Sequence, residues 1–295
     1  MRLANVRGRA ALVIGDGLVD VEASSNRKFG PDLRSIYERW AEFAKFASTM
    51  RTTTAPLPAD GLGPPAPEPR QVFAIGLNYR THAAETDMQV PEVPATFTKF
   101  PACLAGAFDP IEVAGDGIDW EVELVVVIGR RADRVRGSAA WDYVAGVTVG
   151  QDISDRWLQC AAGNQFSLGK SRRGFGPMGP YLVTPDEFPD PDDLAIGCSL
   201  DGEVVQQSRT SDLVFGVAEL VERLSAVLPL FPGDVIFTGT PAGVGAVRQP
   251  PRWLRPGSVL ESWVEGIGTM RNPIVATETD QPLRTHKVPE NQGAY

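Results

Sequence analysis

Two carboxylates lie inside the stretch Trp120-Glu121-Val122-Glu123-Leu124-Val125-Val126-Val127-Ile128-Gly129. The β-branched run at its centre shows no polar alternation, which favours a strand buried on both faces over an edge strand with a solvated side. Successive side chains of a strand point to opposite faces, so Glu121 and Glu123 project from the same side. Two buried carboxylates repel each other, and a hard cation such as Mg²⁺ or Ca²⁺ relieves that cost. The stretch therefore predicts a metal site on a buried strand.

The composition is that of a loop-rich globular chain. With 295 residues, 43% of them hydrophobic, the chain is long enough to bury a substantial core. The net charge of −9, without any Lys/Arg cluster, disfavours nucleic acid and anionic membranes as partners but allows a small anionic substrate. The three cysteines lack Cys-X-X-Cys spacing, and no signal-peptide pattern or apolar run of about 20 residues occurs. A cytoplasmic protein is predicted.

The sequence pattern divides the chain into three parts. These are a small N-terminal unit with a Pro/Gly-rich linker (1–70), a larger body (71–276) and a polar tail (277–295). The N-terminal unit contains two predicted strands around Gly15-Asp16-Gly17 and a predicted helix over 33–50. The body contains predicted strands at 71–76, 120–129, 143–151, 181–184, 195–200, 234–238 and 258–264 and near 274, with one clear helix at 212–228. Helices are too few to accompany every strand, which predicts an α+β, mainly β fold.

His82 and Glu85 form a candidate pair for proton transfer. They are three residues apart, one helical turn, so that the carboxylate can reach the imidazole. A carboxylate partner fixes the tautomer and raises the proton affinity of the ring, as a general base near neutral pH requires. A surface histidine with an ordinary helix-face glutamate is the alternative.

Asp152 follows the predicted strand at 143–151 and is a candidate third metal ligand beside the two glutamates. Arg156 and Gln159 lie one and two turns further along, so a helix starting at Asp152 would place all three on one side. An Asp N-cap followed by solvated helix residues is the alternative.

Two loops offer further candidates for contact with a substrate. Lys170 precedes the rigid sequence Gly-Pro-Met-Gly-Pro at 176–180 and could pair with a substrate carboxylate or a developing oxyanion. Thr240 lies in the glycine-rich segment 238–245. This segment is not a nucleotide site, because no helix and no Lys-Ser/Thr follows its last glycine. An exposed threonine hydroxyl with nearby backbone N–H groups can still bind a substrate oxygen.

Five motifs follow one another along the body of the chain. They are Asn-Tyr-X-X-His-X-X-Glu at 78–85, Trp-Glu-Val-Glu-Leu at 120–124, the stretch 152–159, Gly-Lys-Ser at 169–171 with the Gly/Pro motif at 176–180, and Phe-Pro-Gly-Asp-Val-Ile-Phe-Thr-Gly-Thr-Pro-Ala-Gly-Val-Gly at 231–245. This series resembles the fumarylacetoacetate hydrolase family over roughly residues 70–275. The resemblance implies a mixed β-sandwich roll, usually in a homodimer, with a small N-terminal α/β unit like that of many bacterial members.

The resemblance also implies a role for each candidate residue. The metal would be Mg²⁺, with Mn²⁺ or Ca²⁺ as substitutes, held by Glu121, Glu123 and Asp152. His82 and Glu85 would be the catalytic dyad, and Lys170 would assist the chemistry. The substrate would be a small anionic 2-oxo acid, bound by residues at matching motif positions: Tyr79, Arg156, Gln159 and Thr240.

The chain departs from the family's usual sequence at several positions beside these residues. Relatives commonly read Asn-Asp-Val-Ser-Ala-Arg-Asp at the metal aspartate, whereas Gln151, Asp155 and Trp157 stand here. Relatives commonly continue from Lys-Ser with Phe-Asp, whereas this chain has Arg172 and Arg173. The two arginines would favour a substrate with additional negative charge.

The resulting functional hypothesis is a Mg²⁺-dependent hydrolase that cleaves a C–C bond of a 2,4-dioxo or acylpyruvate-type acid. His82 would activate water, and the metal would stabilise the enolate that leaves. Decarboxylation, hydration or enol–keto isomerisation of a 2-oxo diacid at the same metal site is the alternative. Two weaker rivals are a cysteine hydrolase built on Cys103 or Cys160 and a binding protein without catalytic activity.

Overall fold

The computed structural model describes residues 1–58, 60–161, 163 and 165–277. Over this part of the chain the fold is α+β and consists mainly of strands, as the sequence predicts. Residues 278–295, nearly all of the predicted polar tail, lie outside the described residues.

The strands, in chain order, are β1 Arg2–Val6, β2 Arg9–Ile14, β3 Gly17–Asp20, β4 Ala55–Pro56, β5 Leu62–Gly63, β6 Val72–Gly76, β7 Ala95–Thr98, β8 Leu104–Ala105, β9 Ile111–Val113, β10 Ile118–Asp119, β11 Val122–Ile128, β12 Val144–Gln151, β13 Ser154–Asp155, β14 Gly176–Val183, β15 Ala195–Leu200, β16 Glu203–Arg209, β17 Val235–Phe237, β18 Val259–Val264 and β19 Gly268–Ala276. The α-helices are α1 Val21–Ser24, α2 Leu33–Glu38, α3 Trp40–Ala47, α4 Arg80–Glu85, α5 Arg156–Cys160 and α6 Val217–Val227. Short 3-10 helices occur at Pro101–Cys103, Gly137–Tyr143, Pro185–Glu187, Thr210–Asp212 and Gly245–Val247.

Two large sheets pack face to face. In the part of the chain that the structure describes, the larger sheet has twelve strands, with the central order β4-β3-β2-β1-β14-β12-β11-β17-β6-β7 and with β5 and β8 beside β1 and β14. The smaller sheet has the order β16-β15-β18-β19-β9. A separate two-stranded ladder joins β10 to β13.

Strand β11 is buried on both of its faces, which explains the absence of polar alternation in its sequence. Val122, Leu124, Val126 and Ile128 belong to the core shared with the smaller sheet. Val125 and Val127 belong to a second core, which also contains apolar residues of α2 and α3. The large sheet is therefore covered by the smaller sheet on one face and by the N-terminal helices on the other. Because side chains alternate along a strand, Glu123 projects toward the same face as Val125.

The N-terminal strands continue the sheet of the body. Strand β1 pairs with β14, with Arg2 opposite Val183 and Leu3 opposite Leu182. The α-amino group of Met1 lies 2.7 Å from Oε1 of Glu187. The division at residue 70 stays a prediction, but backbone hydrogen bonds connect the two parts.

The structure corrects several predicted elements. The helix predicted over 33–50 is divided at Arg39, where the backbone leaves the helical conformation and α2 gives way to α3. The helix predicted over 212–228 begins at Val217. Strands β1 and β16 were not predicted, because neither has a hydrophobic run or a strict alternation in its sequence. Within the described residues, no helix is both long and apolar enough to cross a membrane.

Candidate active site

Register between β11 and β12 brings the predicted metal ligands together. Gln151, the last residue of β12, lies opposite Val122, and the N–H of Asp152 donates a 2.9 Å hydrogen bond to the carbonyl of Glu121. One carboxylate oxygen from each of Glu121, Glu123 and Asp152 lies within 4.8 Å of the other two. All three side chains are buried.

The buried carboxylates differ in their proton affinity. Burial, together with repulsion from Asp152 and Glu121, raises the pKa of Glu123 well above its ordinary value. Burial would also raise the pKa of Glu121, but the nearby charges of Lys170 and Arg156 outweigh it and hold this pKa below its ordinary value. Glu123 is thus the carboxyl that most lacks positive charge.

A divalent cation fits this donor set. Asp119, Glu121, Glu123 and Asp152 are four buried acids, whereas the buried cations among the described residues beside them are Lys99, Arg156 and Lys170. One negative charge is left unbalanced, and it falls on the oxygen-rich cluster that Mg²⁺ prefers. The three predicted ligands could hold the ion, which would supply Lewis-acid polarisation of substrate oxygens.

Lys170 lies between two of the acids. Its Nζ donates to Oε2 of Glu121 at 2.6 Å and lies 2.9 Å from Oδ2 of Asp152. Burial opposes its charge, but Asp152 and Glu121 overcome this effect and raise the pKa of Lys170. Lys170 is therefore a charged donor beside the predicted metal ligands.

The predicted dyad forms in α4. Nδ1 of His82 lies 2.6 Å from Oε1 of Glu85, and Oε2 of Glu85 accepts a 2.8 Å hydrogen bond from the N–H of Gly243. Because a carboxylate can only accept, the contact places a proton on Nδ1, so that Nε2 is the nitrogen that can take up another. His82 is near enough to Glu121 to help lower the pKa of that acid.

Several of the predicted residues line one narrow cavity. This cavity has room for about one water molecule. Its lining includes Ile75, Phe97, Phe166 and the predicted residues His82, Glu121, Gln159, Lys170 and Thr240. Tyr79 is not among its lining residues. This side chain is fully buried, and its hydroxyl has no hydrogen-bond partner among the described residues.

Helix α5 carries two of the predicted substrate contacts. Arg156 binds the carboxylates of Asp119 and Glu121, each at 2.8 Å. The amide Oε1 of Gln159 accepts from Arg156 at 3.3 Å, while Nε2 is buried without a partner among the described residues. An unpaired buried donor is costly, and a substrate oxygen would satisfy it. The helix begins at Arg156 with Asp155 as its N-cap, so the expectation that it begins at Asp152 is wrong.

The segment around Thr240 differs from the expectation in detail. Thr240 is buried rather than exposed. Its hydroxyl donates to the carbonyl of Val122 at 3.0 Å and accepts from Nε2 of Gln206 at 2.8 Å, so that its proton is already engaged. The neighbouring N–H of Gly239 donates to Oε2 of Glu123 at 2.8 Å and thereby orients a predicted metal ligand.

Two buried charges of the site were missed from sequence. Lys99 follows β7, and its Nζ donates to Oδ1 of Asp152 at 2.7 Å and to the carbonyls of Phe175 and Lys170. A single lysine after a short strand carries no signal of burial. Asp119 accepts from Arg156 and from the N–H groups of Gly245 and Ala246.

Asp155 and Arg172, two residues at which this chain differs from the family's usual sequence, contact each other in the structure. Nη2 of Arg172 donates to Oδ2 of Asp155, so this arginine already has a negative partner within the protein. Arg173 is exposed. The expectation that both arginines attract additional substrate charge is therefore weakened for Arg172.

The environments of Cys103 and Cys160 do not favour a nucleophilic thiol. Cys103 is fully buried, and burial raises the pKa of its thiol. Burial likewise raises the pKa of the partly exposed Cys160. Raised thiol pKa values leave little thiolate near neutral pH.

Comparison with known proteins shows which family this chain resembles. The family model described as fumarylacetoacetate (FAA) hydrolase C-terminal matches residues 71–275. The chain is 36% identical over 271 residues to the mitochondrial oxaloacetate tautomerase Fahd2a of Rattus norvegicus, covering 89% of this chain and 85% of the rat protein. It is 37% identical over 283 residues to a fumarylacetoacetate hydrolase domain-containing protein 2 homolog of Dictyostelium discoideum, covering 90% and 92% of the two chains.

Solved structures of similar proteins have the same fold as this chain. A Mycobacterium smegmatis protein provisionally described as HpcE superposes with a TM-score of 0.90 at 50% identity, over 94% of this chain and 100% of that chain. Maleylpyruvate hydrolase from Sphingobium sp. SYK-6, solved with manganese(II) and pyruvate, superposes with a TM-score of 0.75 at 28% identity, over 94% and 100% of the two chains. The predicted fold is confirmed, and this chain belongs to the fumarylacetoacetate hydrolase family.

Proposed function

We propose that this protein is a divalent-metal-dependent enzyme that interconverts the enol and keto forms of a 2-oxo diacid of the oxaloacetate type. The observation that carries the proposal is that His82, Lys170 and Gln159 line one cavity with Glu121, and that Nε2 of Gln159 is buried without a partner among the described residues. The choice of tautomerisation over hydrolysis follows the rat relative, whose name states that activity. It replaces C–C bond hydrolysis as the leading hypothesis.

The reaction moves one proton and consumes no water. The enol O–H bond would break with its proton passing to Nε2 of His82, and a C–H bond would form at the adjacent carbon as His82 returns the proton. The C=C bond becomes a single bond, and the C–O bond becomes the C=O bond of the keto acid. His82, oriented by Glu85, would transfer the proton at carbon through Nε2. Lys170 and the amide of Gln159 would hold the oxygen that gains negative charge between the two proton steps.

The ligand set of Glu121, Glu123 and Asp152 is proposed to bind Mg²⁺, with Mn²⁺ as a substitute. The ion, when bound, would polarise the carboxylate and 2-oxo oxygens of the acid. The manganese in the Sphingobium enzyme supports a divalent ion in this fold. A homodimer and a cytoplasmic location remain proposals.

The direct test follows the ultraviolet absorbance of freshly dissolved enol-oxaloacetate. With Mg²⁺, the protein should accelerate loss of the enol band over the spontaneous rate, and the acceleration should disappear with a chelator or in His82→Asn. Absence of any acceleration by the Mg²⁺-loaded protein would contradict the proposal.

Hydrolysis of an acylpyruvate-type acid is the second candidate, supported by the likeness to maleylpyruvate hydrolase. The same dyad could take a proton from water instead of from carbon. Release of pyruvate from maleylpyruvate, measured by a coupled lactate dehydrogenase assay, separates the two activities, because tautomerisation releases no fragment.

A further inference from the structure

The ion pair between Asp155 and Arg172 connects two segments that both carry residues of the site. Asp155 immediately precedes α5, which begins with Arg156. Arg172 lies two residues after Lys170. The Asp155 carboxylate is almost completely buried, and the Arg172 side chain is about three-quarters buried. An ion pair shielded from water is stronger than one on the surface and holds its partners more firmly.

Asp155 makes further contacts to both segments. Its Oδ1 accepts a 2.9 Å hydrogen bond from the N–H of Leu158 and so caps the first turn of α5. Its backbone N–H donates a 2.8 Å hydrogen bond to the carbonyl of Gly169, the residue before Lys170. One residue therefore holds the start of the helix and the loop of the lysine.

The backbones of the two segments touch where the ion pair holds them. A Cβ atom on Gly169 would lie 2.5 Å from the backbone nitrogen of Gln159, so this position has no room for a side chain. Any movement of the Lys170 loop away from α5 changes the distance between Lys170 and Gln159. The ion pair restrains that movement, because Arg172, two residues after Lys170, is bound to Asp155 at the start of α5.

We propose that Asp155 and Arg172 act as positioning residues that fix the separation between the Lys170 ammonium and the donors of α5. In this role the pair would act without contacting the substrate. It sets how well Lys170 and Gln159 together hold the oxygens of a 2-oxo acid, and the ligand class rests on the proposed function. A competing possibility is that Arg172 contacts the ligand itself, since its Nε is buried without a partner among the described residues.

The test removes the ion pair without removing the helix cap. Asp155→Ser keeps a hydroxyl to accept from the N–H of Leu158 and loses the charge that binds Arg172. Arg172→Gln removes the other partner, and the double variant completes a cycle. Asp20→Ser is the matched control. Asp20 also caps a helix, since its Oδ1 accepts a 2.9 Å hydrogen bond from the N–H of Ala23, and its Oδ2 accepts a 3.0 Å hydrogen bond from Nε of Arg9. Asp20 is far from the site residues in sequence.

The readouts are chosen to work without any turnover. Binding of oxalate to the Mg²⁺-loaded protein is measured by calorimetry, together with binding of Mg²⁺ alone and the unfolding temperature. We expect each single variant to weaken oxalate binding about tenfold, comparable with the smaller losses seen when a residue that orients a metal ligand is removed. The double variant should be no worse than either single one, and Mg²⁺ affinity and the oxalate affinity of Asp20→Ser should stay unchanged.

Two outcomes overturn the proposal. Unchanged oxalate binding in both single variants, with a fall in unfolding temperature like that of Asp20→Ser, would make the pair merely structural. Weakened binding in Arg172→Gln but not in Asp155→Ser would show that Arg172 contacts the ligand directly. Failure of the unmodified protein to tautomerise oxaloacetate would contradict the proposed reaction, yet the oxalate measurements would still decide the role of the pair.

Discussion

The Nζ atom of Lys99 lies 2.7 Å from Oδ1 of Asp152, and both side chains are buried. Lys99 thus places a positive charge against a predicted metal ligand. Two further hydrogen bonds, to the carbonyls of Phe175 and Lys170, leave its ammonium fully paired. A lysine so placed belongs to the charge balance of the candidate metal site.

Replacing Lys99 by Met should destabilise the metal-free protein more than the metal-loaded protein. Loss of one partner of a buried pair leaves an uncompensated charge and costs about 3 kcal/mol of the free energy of unfolding. Bound Mg²⁺ would restore positive charge beside Asp152 and recover part of this loss. Urea unfolding with and without Mg²⁺ measures both values.

The matched control for this measurement is Lys28→Met. Lys28 lies 3.9 Å from Glu42, and both side chains are exposed. We expect a change below about 0.5 kcal/mol, independent of Mg²⁺. An equal loss for Lys99→Met with and without the ion would separate Lys99 from the metal site.

Mg²⁺ should bind more tightly as the pH rises, because the ion competes with a proton on Glu123. Burial and the repulsion of Asp152 and Glu121 raise the pKa of Glu123 above its ordinary 4.5, so that the metal-free protein keeps a proton on this carboxyl to a higher pH than an ordinary glutamate does. Binding should release this proton, which calorimetry in buffers of different ionisation enthalpy detects. Glu123→Gln should bind weakly and without proton release; release of the same size from this variant would locate the proton elsewhere.

The stability of the metal-free protein should show the corresponding dependence on pH. A carboxyl whose pKa is raised by folding contributes stability that is fully present below its unfolded value of 4.5 and is lost as the pH rises through the folded value. The free energy of unfolding of the unmodified protein should therefore fall across that interval relative to Glu123→Gln. Parallel pH curves for the two proteins would contradict this assignment.

Replacing His82 by Ala should lower turnover by about 10²–10⁴ while Mg²⁺ affinity stays nearly unchanged, the range expected for a lost general base. The imidazole of His82 binds Glu85 and is not one of the three predicted metal ligands. We therefore expect turnover to fall without a change in Mg²⁺ affinity. Steady-state rates and a Mg²⁺ titration on the same preparation measure them. Full turnover by this variant would refute the dyad.

Substitution of the cysteines should leave turnover intact. Both Cys103→Ala and Cys160→Ser should retain activity within about threefold, since neither thiol has a lowered pKa. The same enol assay serves as the measurement. A loss comparable with that of His82→Ala in either variant would restore the cysteine-hydrolase hypothesis.

Local sequence predicted the parts of the site that depend on spacing within one element. The alternation of side-chain direction along 121–123 predicted that Glu121 and Glu123 share one side, and one helical turn paired His82 with Glu85. The same alternation, extended by two residues, also points to Asp119, so this buried acid could have been found. Lys99 could not, because its burial depends on the packing of distant segments around Asp152.

Predictions failed where tertiary contacts override local pattern. Helical spacing continued through Arg39, yet the chain turns there so that α2 and α3 both pack on the large sheet. Strand β1 became a strand because it has β14 and β2 as neighbours, which no property of residues 2–6 reveals. The pairing of Asp155 with Arg172 was likewise invisible, since the sequence separates them by the whole of α5 and the loop after it.

Because β11 is buried on both faces, this one strand contributes side chains to both hydrophobic cores. Removing the N-terminal helices would lay Val125 and Val127 open to water, on the side from which Glu123 reaches its partners. Loss of either core would thus separate the three carboxylates. We therefore expect metal binding to be lost in the same transition in which the whole protein unfolds.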